Sequence, residues 1–589
     1  MSLDIARSIA VSSLMVTQVQ ISVTSSNISN ADTTGYTVKT ASQTSEVTSG
    51  VGTGTSVTGI TSNVDKLLMK SLVQAISGLG AADSTNSMLE RLQALYGSTS
   101  DDDGSGTSLA NSIAAFETAI ASLAATPGSA SLQANAVSAL DSLASQLRET
   151  SSGIQDLRSD ADQSIASAVD DVNEQLNAIA SLNAQIKQAA ASNQPTGDLE
   201  DQRNTALQEI ASRINVSYFI SSSGDMQIYT SSGQALLDSS VHELSYTTAS
   251  TVAASTTYST TPPSGFSGIL VNGTDITSQI SSGSVGALIT LRDTTLPAAQ
   301  AQLDQLATTL ADSLNAVSNL GTSLPPPQTL TGTTAVTSST ALSATGSVRV
   351  AVTDQSGALA SYADLDLASY TTVGALVTAI NGISGLSASI DSSGHVVIAA
   401  SSSSNGVSIG NMTASVGSDG ASLSDWLGLN DLVTATGASD FKLSAAILAD
   451  PSKLQTSSLD SAATLTTGGT VLSSGSATIV DKLSSALTGS SSFAAVGGLG
   501  STTGSLADYA SALIAKVAAQ ASAAGDAYTA KQTTRSTLAS AMASQSGVNL
   551  DEETAKLSTL QNQYAAASQL IQAVNAMFDA LISAVQSAG

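Results

Sequence analysis

Apolar residues recur at helical spacing at both ends of the chain. From Leu557 they run Leu557, Leu560, Tyr564, Ala567, Ile571, Val574, Phe578, Leu581 and Val585, with gaps of three and four in alternation. That is a heptad seam, which requires another helix to cover it. A looser copy opens the chain at Ile5, Ile9, Ser12, Val16, Val19, Val23 and Ser26. The pattern predicts one helix over 3–28 and more helix from about 505 nearly to the C-terminus. The latter is interrupted near Gly547, where Asn549 can cap and Asp551, Glu552 and Glu553 sit in the first turn.

Between the ends the periodicity changes several times. A turn-rich stretch at 31–37, with Gly35 able to take positive φ, precedes extended chain over 38–63. Helix is predicted at 64–96. Another, through Leu109, Ile113, Phe116, Ile120 and Leu123, is stopped by Pro127–Gly128. A longer pattern runs from Leu132 to Ile186 and ends at Asn193–Pro195. Some 60 residues of helix would span roughly 90 Å, with Gly153 a candidate kink. A short helix at 198–213 leads into strands at 215–220 and 226–230, with further strands expected to about 292 and helix over 293–320. Past Pro325–Pro327 the alternation reads as a small α+β insertion, with a helix at 371–383 and a hairpin formed by LSASID and HVVIAAS. Residues 441–500, rich in Ser, Thr and Ala, give no clear pattern.

The fold class expected is therefore multidomain and mainly α with β parts: a discontinuous terminal helical coiled coil, a helical rod-like domain with β-hairpins, and a small α+β inserted outer domain. The boundaries drawn are 1–63 with 545–589 for the terminal assembly domain, 64–325 with 441–544 for the middle domain, and 326–440 for the insertion.

Composition narrows the function classes. At 589 residues the chain exceeds one hydrophobic core. Charged residues make up only 11% and aromatics 3%, so small residues must carry much of the packing. A net charge of −27 without a basic cluster argues against nucleic acid and anionic membranes as partners. The absence of cysteine removes disulfides, thiolate metal sites and cysteine nucleophiles. No apolar run reaches the length of a membrane span. Residues 8–16 lack the basic flank and cleavage site of a signal peptide, so no cleaved leader is expected.

The search for chemistry yields little. His242 and His395 lie in β-rich segments, neither read as having a second His or a carboxylate at helical ligand spacing beside it, and a structural or exposed role is expected for both. The string GVSIG at 406–410 lacks the strand–elbow–helix setting of a hydrolase nucleophile and reads as a turn between strands. Asp101, Asp103 and Gly104 resemble the start of a calcium loop, yet no acidic residue stands at its twelfth position. Trp426 is expected to plug a core. No enzyme activity, cofactor or metal is expected, and the terminal seams carry the functional argument.

Family signatures support that emphasis. SSNISNADTTGYT at 25–37 resembles the N-terminal motif of bacterial flagellar axial proteins, with Asn27, Asn30, Gly35 and Tyr36 forming its helix end and turn. The stretch 546–582, with NLDEE, Gln561, Tyr564 and the closing Asn575–Leu581 run, resembles the hook–filament junction (first hook-associated protein) family. DLEDQRNTAL at 198–207 and the Arg292–Asp293…Leu296–Pro297 segment within 282–315 are similar to that family as well. Val38 and Glu200 depart from its usual residues.

The resemblance implies a structural adapter at the hook–filament junction of the bacterial flagellum. Its copies would self-associate in a ring or tube through Ile5, Ile9, Val16, Val19, Val23 and the C-terminal seam. It further implies the hook protein and the filament-side junction protein as partners, and unfolded export to the cell exterior. A FlgN-type chaperone would hold the C-terminal helix. The alternatives are another axial protein, flagellin-like or filament-side, and a secreted adhesin acting through the insertion.

Overall fold

The computed structural model describes residues 3–48, 50–97 and 108–588; the acidic loop at 101–104 lies outside them. In chain order the helices begin with α1 (Leu3–Ser29), α2 (Lys66–Leu95), α3 (Leu109–Ala125), α4 (Ala130–Ala191) and α5 (Gly197–Arg213). After these come α6 (Gly283–Thr290), α7 (Leu296–Ser318), α8 (Val373–Asn381), α9 (Leu423–Leu427) and α10 (Ala445–Ala449). The last three are α11 (Thr478–Thr488), α12 (Leu506–Ser546) and α13 (Leu550–Ala588). The chain is mainly α with several small antiparallel sheets, the expected fold class.

Packing divides the chain into two units. One comprises Met1–Met88, Ser159–Asp293 and Ser522–Gly589; the other comprises Leu89–Arg158 and Thr294–Ala521. In the first, α1 lies against α13 and against a long two-stranded ribbon, β1 (Lys39–Thr48) with β2 (Val51–Ser62). The ribbon keeps antiparallel register from Lys39↔Ser62 to Thr48↔Val51, with two irregularities. A second antiparallel sheet has the order β3 (Val216–Ile220), β4 (Met226–Thr230), β5 (Ala235–Leu237).

In the second unit, the insertion builds two three-stranded sheets. Their strands are β6 (Thr329–Ala335), β7 (Ser347–Asp354), β8 (Leu359–Asp366), β9 (Leu386–Ile390), β10 (His395–Ala400) and β11 (Asn405–Asn411), paired in the orders β8-β7-β11 and β9-β10-β6. A continuous apolar core joins Val348, Val350, Leu376, Ile380, Ile398 and Ile409, and Trp426 packs partly buried against it. Alternate residues of β10 point inward, as a half-buried strand requires. Thr372 caps α8, accepting from the Ala375 N–H at 3.3 Å.

Three features differ from the sequence reading. α4 runs 62 residues without a break at Gly153. A Cβ at that glycine would come within 2.6 Å of the Leu95 side chain, so the glycine permits close approach of the end of α2. The segment Gly283–Thr290, expected as strand, is helix α6, with Gly283–Leu288 all buried. An apolar run buried on every side carries no period by which strand and helix can be told apart. GVSIG is the middle of β11 and not a turn. The Ser408 hydroxyl is fully buried, 3.2 Å from Thr353 Oγ1.

Candidate assembly interface

α1 and α13 are antiparallel, since Asn27 near the end of α1 bonds to Glu553 near the start of α13. The C-terminal seam meets α1 through one register. Leu560, Ala567 and Val574, seven residues apart, are buried; Leu557, Ile571 and Phe578 are half-buried beside them. On α1 the buried positions are Ala10, Val16, Thr17, Val23, Thr24 and Asn27, with Ile5, Ile9 and Val19 intermediate.

Several large apolar residues of α13, on the seam and beside it, are left uncovered. Tyr564, Leu570, Met577, Leu581, Ile582 and Val585 are between 38% (Tyr564) and 67% (Val585) exposed, and Met15 of α1 is also exposed. Helix length explains the last three. α1 has 27 residues and α13 has 39. At equal rise per residue, an antiparallel partner starting at the Asn27–Glu553 contact runs out near Met577, leaving about ten residues of α13 overhanging. Leu581, Ile582 and Val585 lie on that overhang.

The base of the pair is a polar knot built from the signature residues. Asn27 is fully buried and saturated. Its Nδ2 donates to Lys39 O and to Glu553 Oε2, both at 2.9 Å; its Oδ1 accepts from the Lys39 N–H and the Tyr36 hydroxyl, both at 3.0 Å. Asn30 closes the last turn of α1, donating to Ser26 O at 2.9 Å. Gly35 has φ +81°, and a Cβ there would lie 2.7 Å from Thr205 Oγ1 of α5, so both conformation and space require glycine.

The knot extends to α5 through Asp201, which accepts from the Thr37 N–H (2.9 Å) and the Thr37 hydroxyl (2.7 Å) and pairs with Lys39 Nζ. Lys39 also reaches Asp198 at 3.2 Å and sits 3.7 Å over the Tyr36 ring. The end of α12 joins in, with Ser546 O accepting from the Val38 N–H at 2.8 Å. A cleft of about 560 Å³ opens beside this knot, lined in part by Thr33, Tyr36, Asp198, Asp201 and Glu209.

A second buried cluster in the same unit fixes the other family segment. Arg292 is fully buried and forks onto Asp293 (2.8 Å to each oxygen), while its Nη1 bonds Asp162 at 3.0 Å and the Tyr246 hydroxyl. Its guanidinium lies 4.3 Å over the Phe266 ring. Burial opposes the charge, but Asp293, Tyr246 and Asp162 outweigh it and raise the Arg292 pKa above its ordinary value. Sequence reasoning recognised the Arg–Asp pair only by resemblance. Its rarity was the available signal: in a chain 11% charged, an adjacent Arg–Asp pair between apolar residues is seldom decorative.

Elsewhere the chemistry is modest. His242 Nε2 lies 3.2 Å from Asp238 and His395 Nδ1 lies 3.5 Å from Asp391, each carboxylate four residues earlier, which corrects the expectation that none stood at that spacing. Among the described residues, no three His, Cys, Asp or Glu side chains are grouped to hold a metal, and no helix is long and apolar enough to cross a membrane.

Comparison with known proteins agrees with this distribution. Residues 8–37 match the model of flagella basal body rod proteins, and residues 539–584 match the C-terminal model of basal body rod FlgEFG proteins. The two ends that form the helical pair therefore resemble terminal segments of flagellar basal body rod proteins. Residues 89–333 match the model of the flagellar hook-associated protein FlgK helical domain. Flagellar hook-associated protein 1 of Escherichia coli K12 is 27% identical over 321 residues, covering 52% of this chain and 55% of that protein. The Salmonella typhimurium protein of the same name is 23% identical over 316 residues with the same shares. The chain thus spans about half the length of the curated relatives it matches. The solved flagellar hook junction protein FlgK from Burkholderia pseudomallei aligns with TM-score 0.48 at 17% identity, over 80% of this chain and 98% of that one.

Proposed function

We propose that this chain is a structural adapter of the bacterial flagellum at the hook–filament junction, self-associating in a ring or tube through its terminal helices. The observation that carries the reading is the uncovered stripe on α13. An α1–α13 pair is already formed, yet Tyr564, Leu570, Met577, Leu581, Ile582 and Val585 of α13 remain more than a third exposed. Burying each contributes about 1.5–3 kcal/mol, so the stripe represents on the order of 10 kcal/mol awaiting further helices. A heptad seam whose partner is too short is suited to neighbours that add helices around it.

The site residues proposed are the seam positions from Ile5 to Val23 and from Leu557 to Val585, with Asn27, Asn30, Gly35 and Tyr36 holding the pair at its base. The hook protein and the filament-side junction protein are the proposed neighbours, and a FlgN-type chaperone is proposed to cover the stripe before export to the cell exterior. Immunogold labelling of intact cells tests the reading. A single band of label between hook and filament is expected; label along the whole filament, or none on flagella, rejects it.

A further inference from the structure

The chain holds eight methionines, and their environments differ sharply. Among the described residues, Met69, Met88 and Met226 are buried, at 6% exposure or less, and Met412 and Met542 are half-buried. Met15 of α1 and Met577 of α13 are 61% and 51% exposed. The two methionines that face water thus both stand on the terminal helices, on surface that the α1–α13 contact leaves open.

Their surroundings are apolar. Met577 has Leu570 one heptad before it and Leu581 one turn after it, both about half exposed, with the buried Val574 three residues back. Met15 has Val11 and Val19 at four-residue spacing, both half-buried. No Asp, Glu, Lys or Arg occurs over 8–31 or over 557–578. A flexible, polarizable thioether adapts to an irregular apolar partner, which suits a face that neighbours must cover. It is also an apolar side chain that a peroxide turns polar. With no cysteine in the chain, the exposed thioethers are its most readily oxidised groups.

The chemistry needs only a hydroperoxide. A sulfur lone pair attacks one peroxide oxygen, the S–O bond forms and the O–O bond breaks. The departing hydroxide takes the proton of the new S–OH group and leaves as water. Sulfur is oxidised and the peroxide is reduced. In the free chain the sulfoxide oxygen is solvated and the fold is undisturbed. Beneath a neighbouring helix, on an apolar face, it loses water without a donor in exchange, so the penalty falls on assembly alone.

Resting on the reading of the terminal helices as an assembly surface, we propose that Met15 and Met577 are oxidation sites of the unassembled chain, and that their sulfoxides exclude it from assembly. Coverage by neighbours protects both sulfurs once a copy is in place, and reduction of the sulfoxides returns the chain to the competent form.

The test adds purified full-length protein to cells lacking it and measures incorporation into flagella by quantitative immunolabelling. Protein is supplied untreated or after dilute hydrogen peroxide, with sulfoxides mapped by peptide mass spectrometry. Peroxide is expected to modify Met15 and Met577 ahead of Met69, Met88 and Met226. The concentration needed for half-maximal incorporation should rise about tenfold per sulfoxide, the effect of one buried acceptor left without a donor. A Met15→Leu, Met577→Leu double variant keeps volume and polarity nearly unchanged, so it should incorporate as the parent does and ignore peroxide. Methionine sulfoxide reductases should restore the oxidised parent, which reads the same point with no substitution. Normal incorporation of the Met15 and Met577 sulfoxide form overturns this proposal and leaves the assembly reading standing. A loss that the reductases do not reverse, or that the leucine variant shares, also overturns it, since the damage then lies elsewhere. If the untreated parent itself fails to enter flagella, the assembly reading falls, and this proposal with it.

Discussion

The terminal pair and the inserted α+β core solve the burial problem in opposite ways. In the insertion, strands and helix α8 close on themselves: Val348, Val350, Val373, Leu376 and Ile398 are all within 1% of full burial. Among its described residues, no large apolar side chain of the insertion is left exposed. In the terminal pair, α1 covers one register of α13 and leaves a second bare. On the proposed reading, the difference separates residues that make the fold from residues left for an assembly to cover. It also shows in charge, since Asp201 and Glu553 at the base of the pair each face a lysine, whereas Asp312, Asp425 and Asp431 beneath the insertion sit near one another.

The largest expected effect is on assembly. Leu581→Asp with Ile582→Asp charges the overhang, which touches no buried register, so the thermal midpoint of the monomer should stay unchanged while filaments are lost from motile cells. Electron microscopy and thermal unfolding together check this; normal filaments on the double variant would remove the comparison's basis. Val574→Asp acts on the other side of the division. It places a charge in a site 1% exposed and should destabilise the α1–α13 pair by about 3–5 kcal/mol, detectable as early hydrogen exchange of both helices in the monomer. In the insertion, Leu376→Ala should cost about 2–4 kcal/mol in unfolding of that core while leaving filaments in place.

Asn27→Ala is expected to cost less, about 1–3 kcal/mol, because it leaves the Glu553 carboxylate and Lys39 carbonyl short of a donor. Denaturant unfolding of the purified chain measures it, and loss of protection at the start of α13 locates it.

How much of this was legible follows from range. The seam at 557–585 and the α1 pattern depend on local spacing, and both helices stand where the spacing put them. The overhang was not legible, because it depends on where α1 meets α13, set by a contact between Asn27 and a residue 526 positions away. The signature at 25–37 announced a turn at Gly35, but Asp201 and Glu553, which tie it down, carry no local mark. Strands of the insertion alternate and were readable. α10 and α11 lay in the Ser/Thr/Ala stretch, where α11 buries only Ile479, Val480, Leu483 and Leu487 and most of the surrounding sequence is polar.

The smallest expected effect sharpens the contrast in charge. Burial, with Asp431 and Asp312 nearby, raises the pKa of Asp425 above the ordinary carboxylate value. The folded state therefore holds this proton more tightly than the unfolded chain does. Protonation at Asp425 contributes stability that is complete below the ordinary carboxylate pKa of about 3.9 and is lost as pH rises through the raised folded value. Asp425→Asn mimics the protonated form at every pH. The variant should then unfold later than the parent at pH 7, and its advantage should shrink as pH falls through the folded pKa toward about 4. Because other carboxylates of this unit, Asp440 among them, have lowered pKa values (burial opposing, Thr436 and Gly437 hydrogen bonds prevailing), the parent's own pH profile mixes both signs. Only the difference between the two chains isolates Asp425. An advantage that persists unchanged to pH 4 would mean that the asparagine gains by new hydrogen bonds, and that repulsion beneath the insertion is not what distinguishes it from the paired carboxylates at the terminal knot.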